Sequence, residues 1–502
     1  MSNLKKIIAV ILALVMTAAV MPVAFAESVS YTQNCPYIYI HGFAGNTIYD
    51  NPTSPDAKAL FPPEADDIVK TVERCTPALG AYIINKNSKA LASAIIPELL
   101  NLFGDFIPDK DGNVKSTSGV KFKYPPKSAI TKTSSLKFEY DWRIDPMESA
   151  EQLNDFIDYV LDASGCNKVG IMAHSCGGII ALSYVSKYGT DKIQGIVMNS
   201  TAIYGETYTG ELMTGEMKID LDAVKAFMRY ALNENEYDEA ISGIIDVLAD
   251  SGFLDFVERF GNNFIADMYD DIMGSVIFPM FAYMPTIWAM IPDEYLADAF
   301  DFVFNGDFTD KSCDYSVLKA KIANYNSAVR ENREDMLYAL ENNGHFGVYA
   351  RYGFSSIPVT SSWKNLSDGI IDTKFASFGA TTAEYGKTLP AEYTASVDAK
   401  YISPDKTVDA STCMFPEKTW YVKNFGHTIS TLLPELTYAI LYADKEVTVD
   451  TYEDYPRFII YNENGEFVPQ TADDTKSFFE KIADFFSQIF NFFKMLFDKI
   501  FG

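Results

Sequence analysis

The sequence predicts an α/β fold: a mainly parallel sheet with helices on both faces and a helical insertion. Three observations predict it. Apolar runs alternate with amphipathic helical stretches between about residues 136 and 200, the pattern of strands joined by crossover helices. One strand, tight turn and helix at 168–188 is built around small residues, Ala173 and Gly177. Beyond residue 204 the alternation gives way to a long helical block, and strand-like segments resume at 346–352.

The elements follow in order. Residues 37–40 form a short apolar strand that runs into His41-Gly42, and 136–142 read as a second strand. Asp145 and Pro146 supply an N-cap and a first helical position. The helix they open runs to about 163, with Leu153, Phe156, Ile157, Val160 and Leu161 on one face, and Gly165 ends it. A buried strand follows at 168–173, then a helix at 177–188 stopped by Gly189, then a strand at 193–198. Strands are expected again at 346–352 and 420–422. Residues 457–461 and 466–469, about Asn464-Gly465, read as a hairpin. From about Thr475 the chain is a strongly amphipathic helix, with Phe478, Ile482, Phe485, Phe486, Ile489, Phe493, Leu496, Phe497 and Ile500 at three- and four-residue spacing.

These elements divide the chain into a signal peptide (1–26), a first core part (27–204) with an insertion at about 48–133, and a helical cap insertion (205–343). A second core part (344–447), a hairpin and linker (448–474) and the amphipathic helix (475–502) complete it. The signal peptide is read from Lys5 and Lys6, the apolar run 7–20, Pro22, and a small-x-small site at Ala24-Phe25-Ala26. It implies a secreted, extracellular protein. No later segment reads as a membrane span, since Pro279 and Pro285 interrupt the most apolar stretch, 275–292.

The 502 residues carry a net charge of −27, and removing Lys5 and Lys6 with the leader gives −27 − 2 = −29. Such a chain repels phosphate backbones, and no basic cluster offsets this, so nucleic acid is excluded as a partner. The six cysteines, Cys35, Cys75, Cys166, Cys176, Cys313 and Cys413, have long irregular spacings. They suggest neither a zinc site nor a disulfide framework, and unpaired thiols are at least as expected as bridges. Asp109-Lys110-Asp111-Gly112 has spaced aspartates before a glycine but no glutamate at the twelfth position of a calcium loop, so it reads as a hairpin turn. No metal or cofactor is expected.

The chemistry is carried by Ala173-His174-Ser175-Cys176-Gly177, between a buried strand and a helix. This is the pattern of a nucleophile elbow with alanine for the first glycine. Small residues are needed because the turn is too tight for bulky ones, and the strain lifts the serine hydroxyl above the sheet. A serine needs a base, and the chain has four histidines. With the order Ser, acid, His, both His41 and His174 come too early. His427, in a loop after a strand and before a helix, is the base candidate. His345 precedes a strand and reads as a loop or pocket-edge residue. The acid should follow the strand at 346–352. Asp368, beside Gly369, is chosen, with Asp372 as the alternative. The oxyanion donors are expected to be the amides of Cys176 and Phe43, with His41 and Gly42 bracing the loop.

At this point the residues resemble a known group. The segment 38–45, Ile-Tyr-Ile-His-Gly-Phe-Ala-Gly, resembles the oxyanion segment of bacterial lipases, and 173–177 resembles the elbow of small Bacillus-type lipases. Residues 138–143, including Asp141 and Trp142, resemble a motif of the lecithin:cholesterol acyltransferase family. The segment 286–292, with Trp288, is similar to a cap segment of that family, and Ser367-Asp368-Gly369 resembles its acid loop. The resemblance covers roughly 35–205 and 340–445. It implies an α/β-hydrolase fold and hydrolysis or transfer of a fatty acyl chain from a phospholipid or glyceride. The Phe/Met/Trp-rich stretch 278–291 of the helical insertion is expected either to cover the mouth of the site and supply an acyl-binding wall, with Trp288 in it, or simply to pack as the core of the insertion. A lipid or other acyl ester is then the expected partner. Independently of the resemblance, the apolar face of the C-terminal helix is expected either to contact a lipid or cell surface or to pack on the hydrolase domain or a second copy. The alternatives are a peptidase, a polyester esterase, or a non-catalytic surface-binding protein on the same scaffold.

Overall fold

A computed structural model of the chain describes residues 30–218, 220, 222–223, 226, 262–263, 266–267, 269, 271, 273–306, 309–429, 432–462 and 464–471. The expected signal peptide, the C-terminal amphipathic helix and residues 227–261 of the helical block lie outside the described residues.

The central sheet has eight strands among the described residues: β1 (Tyr37–Ile40), β2 (Ser135–Phe138), β3 (Val169–His174), β4 (Ile193–Asn199), β5 (Phe346–Tyr352), β6 (Thr419–Lys423), β7 (Phe458–Tyr461) and β8 (Phe467–Pro469). Their spatial order is β8-β7-β6-β5-β4-β3-β1-β2. Every pairing is parallel except β7–β8, where the hairpin at Gly465 (φ 77°) turns the chain back. That hairpin is therefore the edge of the main sheet. The register sets Ile40 against Phe138 and Ala173, His174 against Asn199, and Tyr352 against Lys423. The C-terminal ends of β1, β3, β4, β5 and β6 thus lie side by side along one edge.

The described helices include α1 (Ala65–Asn85), α2 (Ser88–Phe103), α3 (Pro146–Ser164), α4 (Gly177–Tyr188), α5 (Thr207–Met213), α6 (Pro285–Ala289), α7 (Asp293–Asn305), α8 (Ser316–Ala328), α9 (Arg333–Glu341) and α10 (Pro434–Tyr442). Alternation along the strands shows the two covered faces. Ile171, Ala173, Ile196, Met198, Val348 and Ala350 pack with residues of α3 and α4. Their neighbours Met172, Val197 and Tyr349 face the other way, against Leu436, Ala439 and Ile440 of α10. α3 starts as expected: the Asp145 carboxylate accepts from the Met147 amide at 2.9 Å, and Gly165 (φ 70°) ends the helix.

Strand β2 is shorter than the sequence suggests. It ends at Phe138, because the Asp141 carboxylate accepts from the Arg143 amide (3.1 Å) and its Nε (2.9 Å), turning the chain away. The same arginine fastens the first insertion, its Nη1 donating to the Phe106 carbonyl (2.8 Å) and its Nη2 to Ser118 Oγ (3.2 Å). That insertion holds α1, α2 and the strand pair Ile48–Tyr49 with Ala59–Phe61, none of which the sequence patterning reveals. The Asp109 segment is a turn, its carboxylate capping the amides of Asp111 and Asn113 (both 2.9 Å), without flanking strands. No cluster of metal-ligating side chains occurs among the described residues. The six cysteines are free.

Candidate active site

Of the residues singled out by sequence, Ser175, Cys176, His427, Asp368 and the His41–Phe43 loop lie at the sheet's C-terminal edge. β3 delivers Ser175, whose φ of +55° is the strained conformation an elbow requires. Its amide donates to the Asn199 carbonyl at 3.1 Å and its carbonyl accepts from Ala202 at 3.2 Å, so the strain is held from both sides. The tightness is measurable. A Cβ added to Gly177 would lie 2.4 Å from the Ile40 carbonyl oxygen. One added to Gly42 would lie 2.6 Å from Ser175 Cβ.

The close approach of Gly42 brings the loop after β1 directly onto Ser175. In that loop the Phe43 amide has no acceptor among the described residues, and neither has the Cys176 amide. His41 braces the loop. Its Nδ1 lies 2.7 Å from the Gly42 carbonyl, its ring stacks on Tyr140 at 4.4 Å, and Tyr140 Oη donates to the His41 carbonyl at 2.9 Å. Burial lowers the His41 pKa to about 3, so this ring is neutral at ordinary pH. Phe43 packs its ring on Trp142 at 4.2 Å, and Trp142 Nε1 donates to the Asn46 carbonyl at 3.2 Å. Asp141 acts one step further out, through its pair with Arg143.

His427 leaves the loop after β6. Its Nδ1 lies 2.7 Å from Asp368 Oδ2, and its amide donates to the Asp368 carbonyl at 3.0 Å. Asp368 Oδ1 is occupied by the amides of Ile370 (3.1 Å) and Ile371 (2.7 Å). Burial pushes the Asp368 pKa up, but His427, the hydrogen bonds and the Arg351 charge outweigh it and hold the carboxyl below its usual value. An ionised Asp368 is an acceptor only, so Nδ1 carries the proton and Nε2 keeps its lone pair. The His427 ring lies 4.7 Å from that of His174, the residue before Ser175. Burial lowers the His174 pKa well below the ordinary value, His427 and Arg351 adding to it.

Asp372 faces elsewhere. Its Oδ2 accepts from the Thr207 hydroxyl, the Thr207 amide (3.3 Å) and Asn365 Nδ2 (3.1 Å). It thus ties the start of α5 to the acid loop, and burial raises its pKa to about 6. His345 immediately precedes β5, at the opposite edge of the sheet, its Nδ1 2.9 Å from the Ile440 carbonyl. Trp288 is enclosed within its own insertion, stacked on Phe304 at 5.2 Å, with Nε1 donating to the Ala282 carbonyl at 2.7 Å.

Sequence patterning missed several partners. Tyr39 Oη reaches His174 Nδ1 at 3.2 Å, and Arg351 and Asn199 join the two halves of the site. The available signal was a cation in the middle of the apolar run 346–352.

Comparison with known proteins gives one family, described as the alpha/beta hydrolase fold, which matches residues 112–241. That span takes in β2, β3, the elbow and β4. No curated protein matches. A solved structure described as "The crystal structure of Tle4-Tli4 complex" aligns at 14% identity over 36% of this chain, with a TM-score of 0.19. The alignment spans about half of that chain, 48%. A parallel sheet covered on both faces and the family match over its central strands together give this chain the α/β-hydrolase fold.

Proposed function

We propose that the protein is a secreted serine hydrolase that cleaves or transfers an acyl ester through an acyl-enzyme intermediate. Ser175 is the nucleophile, His427 the base and then the acid, and Asp368 the group that orients the imidazole. The observation that carries this reading is the Asp368–His427 bond, 2.7 Å, with the His427 ring 4.7 Å from that of His174, the residue before the strained Ser175.

The reaction follows from that arrangement. His427 Nε2 removes the hydroxyl proton as Ser175 Oγ attacks the acyl carbon. Negative charge on the carbonyl oxygen is met by the Phe43 and Cys176 amides, which have no acceptor among the described residues. The imidazolium faces the ionised Asp368, then protonates the leaving alcohol. Water, or an acceptor alcohol in the transfer reaction, repeats the sequence on the acyl-enzyme.

The finer substrate class is a lipid: a glyceride or phospholipid, as the lipase and acyltransferase resemblance implies. The apolar face of the 475–502 segment supports docking to a lipid or cell surface. The test is a panel of esters of increasing acyl length, glycerides and phospholipids, with and without an alcohol acceptor, using the mature chain and Ser175→Ala. Turnover abolished by Ser175→Ala is expected. No turnover of any ester by the wild type would favour a binding protein on this scaffold, and cleavage of amides alone would favour a peptidase.

A further inference from the structure

Arg351 is a cation at 0% exposure in a strand buried at every residue. Its guanidinium bonds in two directions. Nε and Nη2 donate to Asn199 Oδ1 at 3.1 and 3.0 Å. Nη1 donates to three backbone carbonyls of the histidine loop: Gly426 (2.6 Å), His427 (3.2 Å) and Ile429 (2.8 Å). The Phe425 ring lies 5.1 Å from the guanidinium carbon. Asn199 is the residue whose backbone carbonyl receives the Ser175 amide. One planar group therefore spans the end of β4, on which the elbow hangs, and the loop that carries His427.

Stability alone does not account for this choice. Burying a guanidinium costs several kcal/mol of solvation, even with the charge of the Asp368 carboxylate acting on it, and apolar residues of similar volume commonly do as well. A rigid fork does supply geometry, because it fixes several acceptors relative to one another. The histidine loop, with its carbonyls turned inward, needs such a donor to hold one conformation.

We propose that Arg351 is a positioning residue for the base, holding the 426–429 loop against Asn199 so that the His427 ring is aimed at Ser175. This rests on the reading of Ser175 and His427 as nucleophile and base.

The test compares Arg351→Lys and Arg351→Met with the wild-type full chain. It measures kcat and KM on a soluble short-chain ester and the downfield proton signal of the Asp368–His427 hydrogen bond, assigned by its loss in Asp368→Asn. Misplacing a reacting group by about 1 Å costs about 100-fold, so Met should lower kcat by about that factor and Lys by about tenfold, with KM within about twofold. The proton signal should broaden or vanish in Met and be partly restored in Lys. A folded Arg351→Met with wild-type kcat and an unchanged signal overturns the proposal, as does a loss confined to KM. Should Arg351→Met not fold, Asn199→Ala and Arg351→Lys are measured in the same way: a lower kcat with a broadened signal upholds the proposal, and wild-type values of both overturn it. A wild type without turnover or labelling of Ser175 would defeat the nucleophile reading, while the proton signal would still decide the role of Arg351.

Discussion

Asp368 and Asp372 are four residues apart, both buried, and they have different partners: Asp368 meets His427, Asp372 meets Thr207 and Asn365. Replacing each by asparagine separates them. Asp368→Asn removes the charge that faces the His427 Nδ1 proton and offers an amide in its place, so the wrong tautomer is favoured. Loss of an orienting carboxylate of this kind lowers kcat by about 10³–10⁴-fold, with the fold kept. Asp372→Asn should leave kcat within about threefold, since Asp372 bonds Thr207 and Asn365 and not His427. Its effect is on stability and depends on pH. Burial raises the Asp372 pKa from 3.8 to about 6, with the hydrogen bonds from Thr207 and Asn365 opposing. Between those values the fold retains a proton that the unfolded chain has released, so wild-type stability falls as pH rises, and the loss is complete above pH 6. About two units correspond to about 3 kcal/mol. Asparagine does not ionise, so the variant should be the more stable form at pH 8 by up to about 3 kcal/mol, and the gap should close towards pH 4. Urea unfolding at the two pH values and turnover of a soluble ester measure both effects. A crippled Asp372→Asn beside a nearly normal Asp368→Asn would refute the assignment.

Gly42→Ala should lower kcat by about 10²–10³-fold on every ester, because its Cβ would meet Ser175 Cβ at 2.6 Å and shift the Phe43 amide; unaltered turnover would remove Phe43 from the oxyanion site. Trp288→Ala should destabilise the protein by about 3–5 kcal/mol and reduce activity equally across acyl lengths, given its enclosure against Phe304. A selective loss on long chains would instead put Trp288 on the acyl path. Arg143→Met leaves Asp141 unpaired and releases Phe106 and Ser118, so a cost of about 3–5 kcal/mol and faster proteolysis within 48–133 are expected on limited digestion. Deletion from Thr475 should abolish sedimentation with lipid vesicles and spare turnover of a soluble short-chain ester; a full-length chain that ignores vesicles would end the docking proposal.

The central strands were legible because both faces are covered, which makes β3 and β5 nearly continuous apolar runs. The elbow was legible because sterics restrict residues 173 and 177. The first insertion was hidden for the opposite reason: α1 contains Pro77 and α2 contains Pro97, and both read as breaks in a helical pattern. β2 was read too long because Tyr140 and Trp142 are apolar for reasons of loop packing, bracing His41 and Phe43. Asp368 and Asp372 could not be separated by spacing, since only the path of the loop decides which carboxylate reaches His427. Arg351 was passed over because a single cation in an apolar run carries no periodic signal, and its partners come from β4 and from a loop about 75 residues away.

The nucleophile is tested most directly by covalent labelling. The protein is treated with a fluorophosphonate, digested, and the modified peptide located by mass spectrometry. A single adduct on Ser175 is predicted, formed at least about 10²-fold more slowly in His427→Ala, where no base activates the hydroxyl. Ester turnover by the wild type with no adduct on Ser175, or turnover that survives in Ser175→Ala, would contradict the account.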